Sequence, residues 1–324
     1  MPDEVSPARV IAIVGGSGYL GQVLTRALLA DRRGIERILL LDLRPPPQEV
    51  AGQVVFDELD VRSARLGEVL AEHAVDTVVH LAAVVTPRPG MTRNEHYAID
   101  VDGTHNVLDA CVEHGVQQVI VTSSGAAYGY HVDNPAWLDE QCPLRGNEEF
   151  AYARHKRLVE ELLARYRARY PALRQLIFRP GTVLGRDAHN PVTALFERSV
   201  LLRITDGDSR FVFVWDEDVA LCIAKGIHER RSGVFNLAGD GAMTPEEIAS
   251  ITGARVIALP ATVLAIGLRV ARWFELTDHG PEQVPFLRYR PVLSNAALKR
   301  DFGYTPLRTS REAFEEFWRS RRPQ

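Results

Sequence analysis

Val10-Ile11-Ala12-Ile13-Val14-Gly15-Gly16-Ser17-Gly18-Tyr19-Leu20-Gly21 decides the fold. Its first five residues are apolar and four of them are β-branched, the composition of a strand buried on both faces. Gly15, Gly18 and Gly21 then mark a tight turn into a helix carried by Leu24, Leu28 and Leu29. Glycine serves three purposes in such a turn: it permits the bend, lets backbone approach a pyrophosphate, and lets helix and strand pack closely. The helix N-terminus adds a favourable field for phosphate charge. The spacing G-x-x-G-x-x-G is common by itself, and its plainest reading is a strand–helix connection.

The next apolar run, Ile38-Leu39-Leu40-Leu41, ends in Asp42, at the distance where a dinucleotide-binding unit places the acid that accepts the adenosine ribose hydroxyls. An acid there repels a 2′-phosphate, which favours NAD over NADP. Arg44, two residues on, could instead reach a phosphate or stack on adenine.

Further strands follow at Val54-Val55-Phe56, Thr77–Ala83, Val119–Ser124 and Leu173–Phe178. Helical spacing separates them at 65–73, 94–114 and 148–170. This alternation predicts an α/β chain with a Rossmann-type doubly wound parallel sheet, ligands lying at the strand C-termini. Beyond Gly185 the elements shorten, which predicts a smaller C-terminal α/β lobe for substrate. The expected division is 1–185, mainly cofactor-binding, and 186–324, mainly substrate-binding, with some elements returning to the first body.

Bulk properties narrow the function. The 324 residues carry a net charge of −4, which gives no electrostatic case for nucleic acid. The three cysteines, Cys111, Cys142 and Cys222, are unclustered; they suggest reduced thiols and a cytoplasmic protein, with no metal site. The start MPDEVSPAR is acidic and unlike a signal peptide, and the Arg319–Arg322 cluster reads as a solvated tail. Ala261–Val270 is the most membrane-like stretch, yet too short to span; burial or a pocket wall is its expected place, with an interfacial helix as the lesser alternative.

Tyr152 and Lys156 stand four apart on a helix and so share a face. A lysine ammonium beside a phenol favours the phenolate and suits the pair to acid/base work, while Ser124 at a strand end could polarise a substrate oxygen.

These motifs in this order resemble the extended short-chain dehydrogenases/reductases of the NAD-dependent epimerase/dehydratase family. The resemblance is carried by the glycine stretch, Asp42, Asp60-Val61, His80-Leu81-Ala82-Ala83, Thr122–Gly129, Tyr152-Ala153-Arg154-His155-Lys156 and Arg179–Gly185, and later by Phe211–Ala220, Gly233–Leu237 and Phe302–Pro306. It implies Ser124, Tyr152 and Lys156 as catalytic residues. It implies a cofactor site built from Gly15, Gly18, Tyr19, Leu20, Gly21, Asp42, Arg44, Asp60, Val61, Leu81, Ala82, Ala83, Pro180 and Val183, with Tyr152 and Lys156 holding the nicotinamide side. Ser123 is the neighbour most easily confused with Ser124, which stands four residues before Tyr128 as the family's serine does. A homodimer through the helices around 94–114 and 152–170 is implied as well.

Two departures stand out. Asp100-Val101-Asp102-Gly103-Thr104 occupies the place of the family's Asn-Val-x-Gly-Thr, and an ionised Asp100 cannot donate a hydrogen bond. Trp215 stands where relatives often have histidine; ordinary core packing accounts for it. Gly125-Ala126 follows Ser124 where dehydratases carry Asp-Glu, which disfavours dehydration. The expected activity is hydride transfer at a secondary alcohol or ketone carbon of a small molecule, with Tyr152 as acid/base. A nucleotide-sugar (UDP-hexose type) 4-epimerase is the alternative, Arg186, Arg198, Arg203, Arg210 and Arg288 being candidate diphosphate holders. A non-catalytic NAD(P)-binding sensor is the second alternative, disfavoured because Tyr152 and Lys156 are both present.

Overall fold

The computed structural model describes residues 10–190, 192–207, 209–273 and 284–321. The MPDEVSPAR start and Arg322 lie outside them. The strands are β1 (Val10–Val14), β2 (Arg37–Asp42), β3 (Val55–Glu58), β4 (Thr77–His80), β5 (Gln118–Thr122), β6 (Arg174–Pro180), β7 (Thr182–Leu184), β8 (Val200–Ile204), β9 (Phe213–Trp215), β10 (Gly233–Leu237) and β11 (Arg255–Leu259). Seven form one sheet in the order β10-β6-β5-β4-β1-β2-β3, with every pairing parallel. The chain reverses its direction of winding between β1 and β4, and the C-terminal ends of those two strands open the crevice in which such sheets bind ligands.

Alternation along β1 explains why its sequence is apolar throughout. Val10, Ala12 and Val14 enter a layer with Leu66, Val107, Leu108 and Leu163. Ile11 and Ile13 enter the opposite layer with Leu24, Leu28, Val219 and Ile223. Both faces are covered, as an all-parallel sheet requires. Each such fully buried aliphatic side chain contributes about 1.5–3 kcal/mol relative to exposure.

The paired strands β7–β9 and β8–β11 lie outside this sheet. An aromatic core of Phe196, Phe211, Phe213, Trp215, Phe314 and Phe317 holds β7, β9 and helix Ser310–Arg321 together. Trp215 is buried there, in keeping with a packing role. The chain does not simply pass from one body to the other, because β10 pairs with β6 and helix Asp216–His228 packs with helix Tyr19–Ala30 on the main sheet.

One expectation is overturned. Helix Ala261–Trp273 is not buried: Val263, Ile266, Val270 and Trp273 are exposed, Trp273 by 84 %. Its other side, through Ala261, Leu264, Ala265 and Leu268, packs on Ile204 and Val284, so the burial is one-sided. No helix among the described residues is long and apolar enough to cross a membrane.

Candidate active site

The turn after β1 is built as its glycines demand. Gly15 has φ +83°, and a Cβ there would lie 2.6 Å from the Ala82 nitrogen. That crowding arises because Leu81 and Ala82 both donate their N–H groups to the Val14 carbonyl, at 2.8 and 3.0 Å, running the chain after β4 alongside the turn. Gly21 packs against the Gly15 and Gly16 carbonyls with no room for a side chain. Helix Tyr19–Ala30 starts at Gly18 with no side-chain cap and no acidic residue in its first turn. Its N-terminal N–H groups are therefore left for an anion.

Asp42, at the end of β2, reaches back to this turn: its Oδ2 accepts from the Ser17 N–H at 3.0 Å and its Oδ1 from the Arg44 N–H at 3.2 Å. Its carboxylate is half-buried and keeps lone pairs for further donors. The Arg44 side chain is exposed. Asp60 is clamped by Arg62, whose Nε and Nη2 lie 2.9 and 2.6 Å from its two oxygens; those bonds hold its carboxyl below the usual range. Val61 is buried against Gly103, and its carbonyl accepts from Asn106 at 2.8 Å. The Tyr19 hydroxyl donates to Asp216, so this side chain ties the glycine turn to helix Asp216–His228. Leu20 and Val183 both pack on the layer around Ile11 and Ile13. Pro180 closes β6 beside Leu237.

The expected catalytic residues converge at the C-terminal end of β5. Ser124 begins the short 3-10 turn Gly125–Tyr128, and its Oγ accepts from the Ala126 N–H at 3.1 Å. Its own hydroxyl hydrogen stays available. Ser123 is buried with an unpartnered Oγ. Tyr152 and Lys156 lie on helix Ala151–Arg169, which packs on that turn. The Lys156 Nζ donates to the Thr122 carbonyl at 3.0 Å and sits 5.7 Å from the centre of the Tyr152 ring.

A buried network fixes this corner. Arg179 on β6 grips Glu160 of the same helix with Nε–Oε1 2.8 Å and Nη2–Oε2 2.6 Å. Its Nη1 donates to the Tyr128 hydroxyl at 2.8 Å, and Tyr128 donates to Asn236 Oδ1 at 2.8 Å. One arginine thus holds helix Ala151–Arg169, the serine turn and β10 in mutual register.

The sequence reading missed Arg290. Its guanidinium lies between the rings of Phe211 and Phe286, 4.1 and 4.3 Å from their centres. Its Nε and Nη2 are screened from solvent with no hydrogen-bond partner, and burial pulls its pKa down to about 10. Phe286 belongs to the aromatic group that also holds Tyr130, Phe150 and Tyr152. In the sequence Arg290 is one arginine among many; only folding sets it apart. Of the arginines named from sequence, Arg186, Arg203 and Arg288 are engaged with Glu316, Glu246 and Asp206.

The Asp100 departure has its own network. Residues 98–102 form a π-helical step between helices Arg93–Tyr97 and Gly103–Glu113, where one continuous helix was expected. Asp100 Oδ1 accepts from the Val84 N–H at 2.8 Å, while Oδ2 lies 2.9 Å from His96 Nε2 and 3.0 Å from His155 Nδ1. Burial would raise this carboxyl, but the His155 and His96 hydrogen bonds, Lys156 and the Val84 N–H outweigh it and hold it well below its ordinary range. The bond to Asp100 raises His96. Nearby, Thr104 Oγ1 donates to the Asp100 carbonyl at 2.6 Å and lies 2.9 Å from His80 Nε2. Burial pushes His80 down to about 3, so its ring is neutral near pH 7.

The glycine turn, Asp42 and the residues at the ends of β4 and β5 lie around one crevice of a parallel α/β sheet, the arrangement of a dinucleotide-binding fold. The NAD dependent epimerase/dehydratase family model matches residues 11–238, and the chain belongs to that family. It is similar to a UDP-glucose 4-epimerase of Halalkalibacterium halodurans, 26 % identical over 74 % of this chain and 78 % of that one. An uncharacterised protein of Mycobacterium bovis is 23 % identical over 97 % of this chain and 84 % of its own. The solved NAD complex of Thermus thermophilus UDP-glucose 4-epimerase shares the fold, with a TM-score of 0.71, 24 % identity, and coverage of 97 % of this chain and 100 % of that one. The glycine turn a Cβ would fill, the uncapped helix start, and the orphaned hydroxyls of Ser17 and Ser123 fit the family's dinucleotide.

Proposed function

We propose that this enzyme moves a hydride at a secondary carbinol carbon of a nucleotide-diphosphate sugar, with epimerisation as its net reaction. The observation that carries the substrate class is the half-buried Arg290 guanidinium, whose Nε and Nη2 have no hydrogen-bond partner, beside the Tyr152 aromatic group. Screened guanidinium donors without acceptors are costly, and an anionic substrate group is what offsets that cost. A diphosphate between nucleoside and sugar supplies that charge.

In this reading Gly15, Gly18 and the Tyr19–Leu20–Gly21 helix start hold the pyrophosphate, Asp42 the adenosine ribose, and Asp60 and Val61 the adenine side. Leu81, Ala82, Ala83, Pro180 and Val183 wall the nicotinamide half. NAD, when bound, supplies the hydride acceptor and donor. Ser124 donates its hydroxyl hydrogen to the substrate oxygen. Tyr152 takes the proton of that oxygen as the carbon is oxidised and returns it on reduction. The Lys156 ammonium, fixed by the Thr122 carbonyl, stands beside the Tyr152 ring and would hold the nicotinamide side. Ser124 and Tyr152 would serve the same oxygen in both directions, so the hydride chemistry that the dinucleotide would supply could invert the centre with no net redox change.

The test is turnover of UDP-glucose and UDP-galactose by the purified protein with NAD. Replacing Arg290 by Met should raise KM for the sugar nucleotide at least tenfold, about 1.4 kcal/mol, with NAD affinity unchanged. An unchanged KM would remove the diphosphate reading. We also propose a cytoplasmic homodimer formed through helices Gly103–Glu113 and Ala151–Arg169; sedimentation showing a monomer at micromolar concentration would refute the dimer.

A further inference from the structure

Behind the Lys156 ammonium lies a cluster that the proposed reaction does not use. Asp100, His96 and His155 are all buried, and a single carboxylate oxygen faces both imidazoles. The three come from separate pieces of the wall: His96 from helix Arg93–Tyr97, Asp100 from the π step, and His155 from the helix that carries Tyr152 and Lys156. Asp100 also pins the chain after β4 through Val84. A cavity of about 10 Å³, the size of one water, is lined by Asp100 and Lys156 together with Ala82 and Ala83.

The donor set invites a metal reading, but the hydrogen bonds oppose it. His96 Nε2 lies 3.1 Å from the Val84 carbonyl as well as 2.9 Å from Asp100, so it carries a hydrogen between two acceptors. The Lys156 cation shares the cavity, and a divalent ion would add to its charge. The other charged or titratable groups packed here are Lys156, His80 and Arg154, the last stacked on Tyr97, whose ring abuts His155.

We propose that Asp100, His96 and His155 form a charge-balancing unit behind Lys156: Asp100 is the counter-charge and positioning residue for the lysine, His155 holds Asp100 in place, and His96, whose Nε2 faces both Asp100 and the Val84 carbonyl, carries a proton that leaves when the cationic nicotinamide half arrives. The inference rests on the cofactor placement proposed above. A carboxylate flanked by two imidazoles and an ammonium can store one exchangeable proton, shared over the set. Its loss keeps the local charge near balance as a positive ring enters. An asparagine at residue 100 cannot do this, because it carries no charge to balance.

The experiment is calorimetric titration of the whole protein with NAD near neutral pH in two buffers of different ionisation enthalpy, which reads protons released on binding. The wild type should release protons on binding, while Asp100→Asn and His96→Gln should release close to none. Asp100→Asn keeps an acceptor for the Val84 N–H, so the wall stays closed. A wall with a merely structural role would leave the proton count unchanged, and equal release in wild type and both variants overturns the proposal. So does wild-type binding without release, a result available even if both variants fail to fold. Absence of NAD binding would remove the cofactor placement itself. A rise in wild-type melting temperature with added Zn²⁺, lost in His155→Asn, would assign the cluster to a metal and also overturn it.

Discussion

At the scale of single residues, Tyr152 and Asp100 make the sharpest claims. Tyr152→Phe removes the proton carrier and leaves the ring packing with Phe150 and Phe286. Turnover should fall about 10²–10⁴-fold while NAD still binds; retained turnover in steady-state assays would exclude the acid/base role. Asp100 raises His96 above its ordinary value near 6.5. A histidine raised in the folded state contributes stability that is complete below about pH 6.5 and is lost as pH rises through the folded value. Denaturant unfolding of wild type and Asp100→Asn should therefore differ most in mildly acidic solution, by about 2 kcal/mol, and less as the pH is raised. The comparison cancels His80, whose depressed value works in the opposite direction. A margin that widens with pH would contradict the pairing.

The same scale shows what sequence could tell. Gly15, Asp42, Ser124, Tyr152 and Lys156 were legible because short-range geometry constrains them: a positive φ, a strand end, a helical i, i+4 pair. Arg290 was not, since its meaning depends on Phe211, 79 residues earlier in the chain. Asp100 was visible as a departure, but its histidines were not, because His155 reaches it across 55 residues.

At the scale of elements, the site stands on buried polar joints between segments. Glu160 and Arg179 join the catalytic helix to β6, and Tyr128 extends that joint to the serine turn. Truncating Glu160 to Ala leaves Arg179 charged and unpaired in the core. The expected loss is about 3–5 kcal/mol in urea unfolding; a loss under 1 kcal/mol would show that the ion pair contributes little. The glycine turn is equally demanding. Gly15→Ala must accommodate both a positive φ and a clash with Ala82, so NAD affinity should fall at least tenfold by calorimetry. Strands and long helices were read well because their periodicities are strong, whereas the π step at Ala98–Asp102 was hidden within an ordinary helical pattern.

At the scale of the whole molecule, the parallel sheet gathers the ends of β1, β2, β4 and β5 into one crevice, and the C-terminal elements bring Arg290 to its edge. The sheet followed from the apolar runs and their spacing. The second body was less legible: its short strands pair across long stretches of chain, as β8 does with β11, and its core is aromatic with no regular period. Helix Ala261–Trp273 is covered on one side only, which an apolar composition does not reveal. The measurement that tests the central claim most directly is single-turnover absorbance of the reduced nicotinamide in NAD-loaded enzyme mixed with UDP-glucose. A transient rise in wild type, with none in Tyr152→Phe, is the predicted result. An equal rise in both proteins would contradict the role of Tyr152, and no rise with any UDP-hexose would contradict hydride transfer from a nucleotide sugar.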